Sequence, residues 1–96
     1  MTEYKKPFGP ETKADWEKRI KQRTRDYLDA DEDIMGSPTL RNMVEETIKP
    51  DTMEAFYSLL EKLRNAPYYD KLANYKGHSE ANAFVDRLIN IIHDRD

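Results

Sequence analysis

The chain of 96 residues contains no cysteine, only three glycines and no long hydrophobic run. Without cysteine there is neither a disulfide nor a thiolate nucleophile, and a zinc site would depend on histidine and carboxylate ligands alone. No segment approaches the roughly 20 apolar residues of a membrane span, and the N-terminus lacks the apolar core of a secretory signal. We therefore expect a cytoplasmic protein that does not contact a membrane.

Sequence signatures of catalysis are also missing. The chain has no G-x-S-x-G nucleophile motif, no glycine-rich phosphate loop followed by lysine, and no paired-histidine metal motif. These absences lead us to predict no cofactor, no metal and no enzymatic activity. The composition, with 36% charged and 38% hydrophobic residues, favours a compact helical protein over a disordered chain.

Charge is distributed unevenly along the chain. The net charge of −3 gives the chain no overall electrostatic attraction to nucleic acid, so nucleic acid is not favoured as a partner. Residues 1–27 carry a net charge of +3, whereas residues 28–61 contain nine acidic and two basic side chains. The sequence therefore has a mildly basic start and a strongly acidic middle.

The strongest structural signal is the apolar periodicity of residues 80–93. At 100° per residue, its apolar side chains fall within an arc of about 160°. They are Ala81, Phe84, Val85, Leu88, Ile89, Ile91 and Ile92. The pattern predicts a helix with one buried face, and Ser79, which follows the helix-breaking Gly77, is predicted to cap its N-terminus.

Similar patterns predict four further helices. They cover residues 10–30, 38–49 and 52–65, with a short helix over 68–75. Ser37 followed by Pro38 signals a helix start, and Asp51 with Glu54 has the form of a capping box. The acidic segment 29–38 is expected to be a turn. The predicted core face of the helix over 52–65 consists of Met53, Phe56, Tyr57, Leu59, Leu60 and Leu63.

The predicted fold is all-α: a small helical bundle of four main helices plus one short helix. The connections are short, which favours antiparallel neighbours. Helices 52–65 and 80–93 have the widest apolar faces, so we expect them to form the central pair. Residues 10–96 are interpreted as a single helical domain that follows an N-terminal arm, residues 1–9. Thin apolar stripes on the first two helices also allow the chain to complete its core as a homodimer.

Arg87 and His93 lie near the end of the last predicted helix, separated by five residues. This spacing resembles the R-x(4–6)-H signature of the HEPN family, which are small helical-bundle ribonucleases, although that family prefers a polar residue where Leu88 stands. The resemblance implies an RNA-cleaving site that Arg87 and His93 from two protomers line together. On a regular helix the two side chains are about 120° apart, so they converge only where the helix end is kinked.

A basic stripe on the first predicted helix is a candidate for binding a nucleic-acid backbone. Lys18, Lys21 and Arg25 lie within about 60° of one another on a helix. Binding of phosphates by such a stripe weakens steeply as salt is added. Glu17 stands four residues before Lys21 and can pair with it, so a solvated helix face is the competing interpretation.

The acidic residues Asp31, Glu32 and Asp33 follow the same predicted helix. Their spacing lacks the glycine and the twelfth-position glutamate of a calcium loop, which argues against a metal site. We interpret them as a solubilising turn that ends the helix, with contact to a basic partner as the alternative.

Tyrosine is the residue type that most favours a binding surface. Tyr68, Tyr69 and Tyr75 are candidate contacts, because tyrosine combines a large apolar area with a polar tip. Adjacent Tyr68 and Tyr69 point in different directions on a helix, so at least one is expected to be exposed. The leading hypothesis is a small non-enzymatic module that binds another protein as adaptor, regulator or inhibitor, for example an immunity, antitoxin or phage host-interaction factor. The alternative is a nucleic-acid-binding protein or HEPN-like ribonuclease.

Overall fold

The computed structural model describes residues 5, 6, 9, 10 and 12–95 of the chain. The fold is all-α, as the apolar periodicity predicts. Its helices are α1 (Lys13–Asp29), α2 (Glu32–Gly36), α3 (Pro38–Thr47), α4 (Met53–Leu63), α5 (Tyr68–Lys76) and α6 (His78–Ile92). They are preceded by two antiparallel strands of two residues each, β1 (Lys5–Lys6) and β2 (Gly9–Pro10). Most of the predicted arm, residues 1–9, lies outside the described residues.

The first helix starts later than predicted. Pro10 belongs to β2, and α1 begins at Lys13, so the predicted start at residue 10 is wrong. Thr12 is the N-cap, and its hydroxyl oxygen accepts a hydrogen bond from the backbone N–H of Asp15 (3.0 Å). A side-chain cap of this kind satisfies one of the backbone N–H groups of the first turn, which have no partner within the helix.

The segment predicted to be a turn contains the short helix α2. An oxygen of Asp31 accepts a hydrogen bond from the backbone N–H of Ile34 (2.9 Å) and so caps this helix. Ile34 is fully buried. A helix of five residues is too short to show a 3.6-residue periodicity, so the sequence pattern does not predict it.

Two predicted caps are corrected and one is confirmed. Ser37 caps α3 as predicted, since its hydroxyl accepts from the backbone N–H of Leu40 (3.3 Å). For α4 the cap is Thr52 rather than Asp51, which has a positive φ of 60° and lies outside the helix. The predicted cap Ser79 is the second residue of α6, because Gly77, with φ 84°, ends α5 and the next helix starts directly after it.

The core is centred on α6, which packs against α1, α4 and α5, and it extends to α2 and α3. Contact between α4 and α6 is therefore present as predicted, although α6 has two further neighbours. The largest fully buried apolar side chains are Ile20, Leu28, Ile34, Leu40, Phe56, Leu59, Leu63, Leu72, Leu88 and Ile92. The placement of Tyr57 in the core is wrong, because 43% of its surface is exposed. No helix within the described ranges is long and apolar enough to cross a membrane.

Candidate functional site

The outer side of α4 presents an exposed aromatic ring between two carboxylates. Glu54, Tyr57 and Glu61 lie within about 60° around the helix axis, and Ser58 is next to them. All four residues are exposed. We call this surface the Tyr57 face. Among the described residues, Tyr57 and Tyr75 are the large apolar side chains left exposed, and Tyr57 has acidic neighbours one turn away on each side.

His93, the C-cap residue of α6, holds the ring of Tyr57 in place. The imidazole and phenol rings are stacked, with centroids 5.5 Å apart and an angle of 23° between their planes. His93 is itself half-buried, and its backbone N–H donates to the carbonyl of Ile89 (2.9 Å). One side of the phenol ring therefore packs against the imidazole, while 43% of Tyr57 remains exposed.

The carboxylates of the Tyr57 face carry uncompensated charge. Within residues 12–95, neither Glu54 nor Glu61 forms an ion pair; Glu61 accepts only a long hydrogen bond from the side-chain amide of Asn65 (3.5 Å). The neighbouring Lys62 is turned toward α3, where its ammonium donates to the hydroxyl of Thr47 (3.0 Å). The face thus has two negative charges beside one ring.

The predicted basic stripe on α1 is partly engaged by the connection between α3 and α4. Lys21 donates to the carbonyl oxygen of Asp51 (2.9 Å), and Arg25 forms an ion pair with the Asp51 carboxylate. The hydrogen bond from Arg25 holds the pKa of Asp51 below its usual value. Lys18 is exposed. Two of the three cations therefore stabilise contacts between helices.

The acidic run consists of two half-buried aspartates and one exposed glutamate. Asp31 and Asp33 both accept hydrogen bonds from the ammonium of Lys76, at 2.6 and 3.0 Å. Burial alone would lower the pKa of Lys76, but the hydrogen bonds to the two aspartates outweigh it and raise that pKa. Glu32 is exposed. Asp31, the N-cap residue of α2, and Asp33 within α2 therefore connect this helix to α5.

The three candidate tyrosines of α5 differ in exposure. Tyr75 is 53% exposed, whereas Tyr68 and Tyr69 are both half-buried. The hydroxyl of Tyr69 donates to the side-chain oxygen of Asn82 (2.6 Å), and its ring is tilted against His78 at a centroid distance of 6.0 Å. Tyr69 therefore connects α5 to α6 and offers only part of its ring to a partner.

Arg87 and His93 point to different neighbours. Arg87 lines a cleft of about 250 Å³ between α1 and α6, beside Tyr27, whose pKa is raised by burial. His93 is stacked on Tyr57 of α4. A single chain therefore does not bring the two residues into one site, as their 120° separation on the helix predicts.

A second concave surface is a groove of about 300 Å³ between α1, α2 and α3. Leu28, Met35, Val44 and Ile48 supply its apolar lining. Its charged lining residues are of both signs, Arg25, Asp29, Arg41, Glu45 and Lys49. The mixed charge gives this groove no preference for a partner of one sign.

The described residues contain no group of three or more histidine or carboxylate side chains placed to hold a metal ion. Comparison with known proteins finds no matching family model, no matching curated protein and no matching solved structure.

Sequence reasoning missed Tyr57 and His93 as a pair. Tyr57 lies at the edge of the apolar arc of α4. This edge position is the sequence signal for its exposure, because tyrosine combines an apolar ring with a polar hydroxyl. Its stacking partner comes from a helix 15 residues long that ends beside it. The sequence cannot show that contact, because it depends on how α4 and α6 cross.

Proposed function

We propose that this protein is a small non-enzymatic binding module that attaches to a larger protein as adaptor, regulator or inhibitor, in the cytoplasm. The observation that supports this most is the Tyr57 face. Tyrosine is one of the residue types that most often dominate the binding energy of an interface. Here it is exposed on a regular helix, where an approaching surface can reach it.

The stacking of Tyr57 on His93 favours binding energetically. Immobilising a free, rotamer-rich side chain costs about 0.5–1.5 kcal/mol when a complex forms. The Tyr57 ring is already stacked on the imidazole, so part of this entropy is lost when the chain folds rather than when the complex forms. A fixed aromatic ring of this kind is the usual anchor of a protein–protein contact.

The proposal is tested by affinity capture from a lysate of the native host, with and without nuclease. Tyr57→Ala is the test variant, and Asn42→Ala on α3 is its control, because it truncates an exposed helical side chain outside the candidate contacts. We expect the native chain and Asn42→Ala to recover the same nuclease-resistant protein, which Tyr57→Ala loses. Equal recovery by both variants, or recovery only through nucleic acid, contradicts the proposal. Circular dichroism confirms that the variants are folded.

The identity of the captured protein separates the more specific roles. A toxin or bacteriocin indicates an immunity or antitoxin function, and an essential host enzyme indicates a phage-type factor. Self-association belongs to the same proposal and is measured by sedimentation over a range of concentrations. A mass that reaches or rises toward twice the monomer value of 11.4 kDa shows a homodimer, and a mass that stays at 11.4 kDa excludes one.

A further inference from the structure

We infer that the partner presents an arginine or lysine side chain to the Tyr57 face, so that the cation lies over the phenol ring between Glu54 and Glu61. This inference rests on the proposed function and specifies the chemistry of the partner. It begins from the shape of the face. His93 covers one side of the ring, and the exposed side is therefore where a cation–π contact can form.

The two carboxylates are positioned to hold such a cation. Along the axis of α4, Glu54 is about 4.5 Å before Tyr57 and Glu61 is about 6 Å after it. Both lie on the same side of the helix as the ring, so both carboxylates reach a positive group placed over it. An acidic or phosphate-bearing partner meets repulsion at the same place.

The same combination occurs twice inside this chain. The guanidinium of Arg25 lies over the ring of Phe56 at 5.2 Å while it pairs with Asp51. The ammonium of Lys76 lies over a second ring, 5.0 Å from its centroid, while it pairs with two aspartates. In both places an aromatic ring and a carboxylate together hold one cation between two helices.

Within residues 12–95, the Tyr57 face has a ring and carboxylates of the same kind, but no arginine or lysine lies over the ring. Lys62 borders this face, and its ammonium donates to Thr47 instead. A basic side chain from another protein completes this arrangement. The charge of residues 28–61, with nine acidic and two basic side chains, favours the same kind of partner at longer range.

The test uses the full chain with a photo-cross-linking amino acid at position 58, which lies within the Tyr57 face. The cross-linked partner is captured from host lysate, and the attached peptide is mapped by mass spectrometry. The test variant is the double substitution Glu54→Gln and Glu61→Gln. Its control is Glu45→Gln with Glu46→Gln on α3, which removes the same charge from two other exposed residues.

We expect the test variant to bind the captured partner about tenfold more weakly than the control at low salt, from two ion pairs and a weakened cation–π contact. Added salt should reduce this difference. Tyr57→Phe should retain most of the affinity, since it keeps the ring, whereas Tyr57→Leu should lose it. An arginine or lysine of the partner should lie within a few residues of the cross-linked position.

The outcomes separate this inference from the proposed function. If capture depends on Tyr57 but the test and control variants bind equally, or if no arginine or lysine of the partner lies within a few residues of the cross-linked position, the inference is overturned while the binding function stands. If cross-linking at position 58 captures no protein, or only proteins that the Tyr57→Ala chain captures equally well, both the inference and the proposed function are overturned.

Discussion

Asp94 connects the end of α6 to α1 through three side chains. Its carboxylate accepts hydrogen bonds from the indole N–H of Trp16 (2.9 Å) and from Arg19 (3.4 Å), and it pairs with Arg23 at 3.5 Å. Burial raises its pKa, but these contacts outweigh burial and hold the pKa below its usual value. A lowered pKa stabilises the folded state above about pH 4, and that stabilisation is lost as the pH falls through the folded-state value.

Asp94→Asn should therefore cost about 1 kcal/mol of unfolding free energy at pH 7, because the amide can still accept from Trp16 but no longer pairs with the two arginines. Asparagine tolerates the positive φ of 54° at this position. Urea unfolding followed by fluorescence of Trp16, the one tryptophan of the chain, measures the difference. At about pH 2 the native chain and the variant should converge, and an unchanged gap there contradicts the role of the charge.

The sequence does not predict the surroundings of every residue. The apolar period places Tyr57 at the edge of the core arc, and whether an edge residue is covered depends on the neighbouring helix. The same holds for Asp31 and Asp33, which the sequence places in a solubilising turn. Their partner Lys76 is more than 40 residues away, and no local pattern indicates the pairing.

The short helix α2 is predicted to contribute stability out of proportion to its length. Ile34 is its one fully buried apolar residue, so Ile34→Ala should lower the unfolding free energy by about 2–4 kcal/mol. The exposed Glu32 on the same helix offers a control, since Glu32→Ala should change it by about 0.5 kcal/mol or less. Denaturant titration measures both. Equal effects of the two variants would show that α2 does not pack on the core.

The cap of α4 gives a second test on a single helix. Thr52→Ala should cost about 1 kcal/mol, and Thr52→Ser should cost much less because the hydroxyl remains to accept from Ala55. Asp51→Asn should have a small effect, since the Asp51 carboxylate is about half exposed and its ion pair with Arg25 is screened by solvent. Thermal unfolding compares the three variants. Equal losses from Thr52→Ala and Thr52→Ser would contradict the assignment of the cap.

Helices with wide apolar faces were predictable, but most of their exact ends were not. The start of α3 is an exception, because Ser37 followed by Pro38 specifies an N-cap and a first helical residue. Asp51 and Thr52 are both good N-caps, so the sequence alone does not choose between them. In the structure Asp51 binds Arg25 and Lys21 of α1, and Thr52 caps the helix; no local sequence pattern indicates the contacts to α1.

For the molecule as a whole, the all-α fold follows from the sequence because each long helix has its own apolar stripe. The binding surface does not follow, because the total charge of a segment says little about which carboxylates remain available. Three aspartates of the acidic middle, Asp31, Asp33 and Asp51, pair with cations of other helices. Glu54 and Glu61 remain unpaired within residues 12–95 and flank the ring of Tyr57.

The most direct measurement is the affinity of the captured partner for three purified chains: the native protein, Tyr57→Ala and Asn42→Ala. Calorimetry should show binding about tenfold or more weaker for Tyr57→Ala, since a central tyrosine contributes more than 1 kcal/mol to an interface. Asn42→Ala, which truncates an exposed side chain of α3, should bind within about twofold of the native chain, a difference well under 1 kcal/mol. A folded Tyr57→Ala chain that binds as tightly as the native protein would show that the partner docks elsewhere.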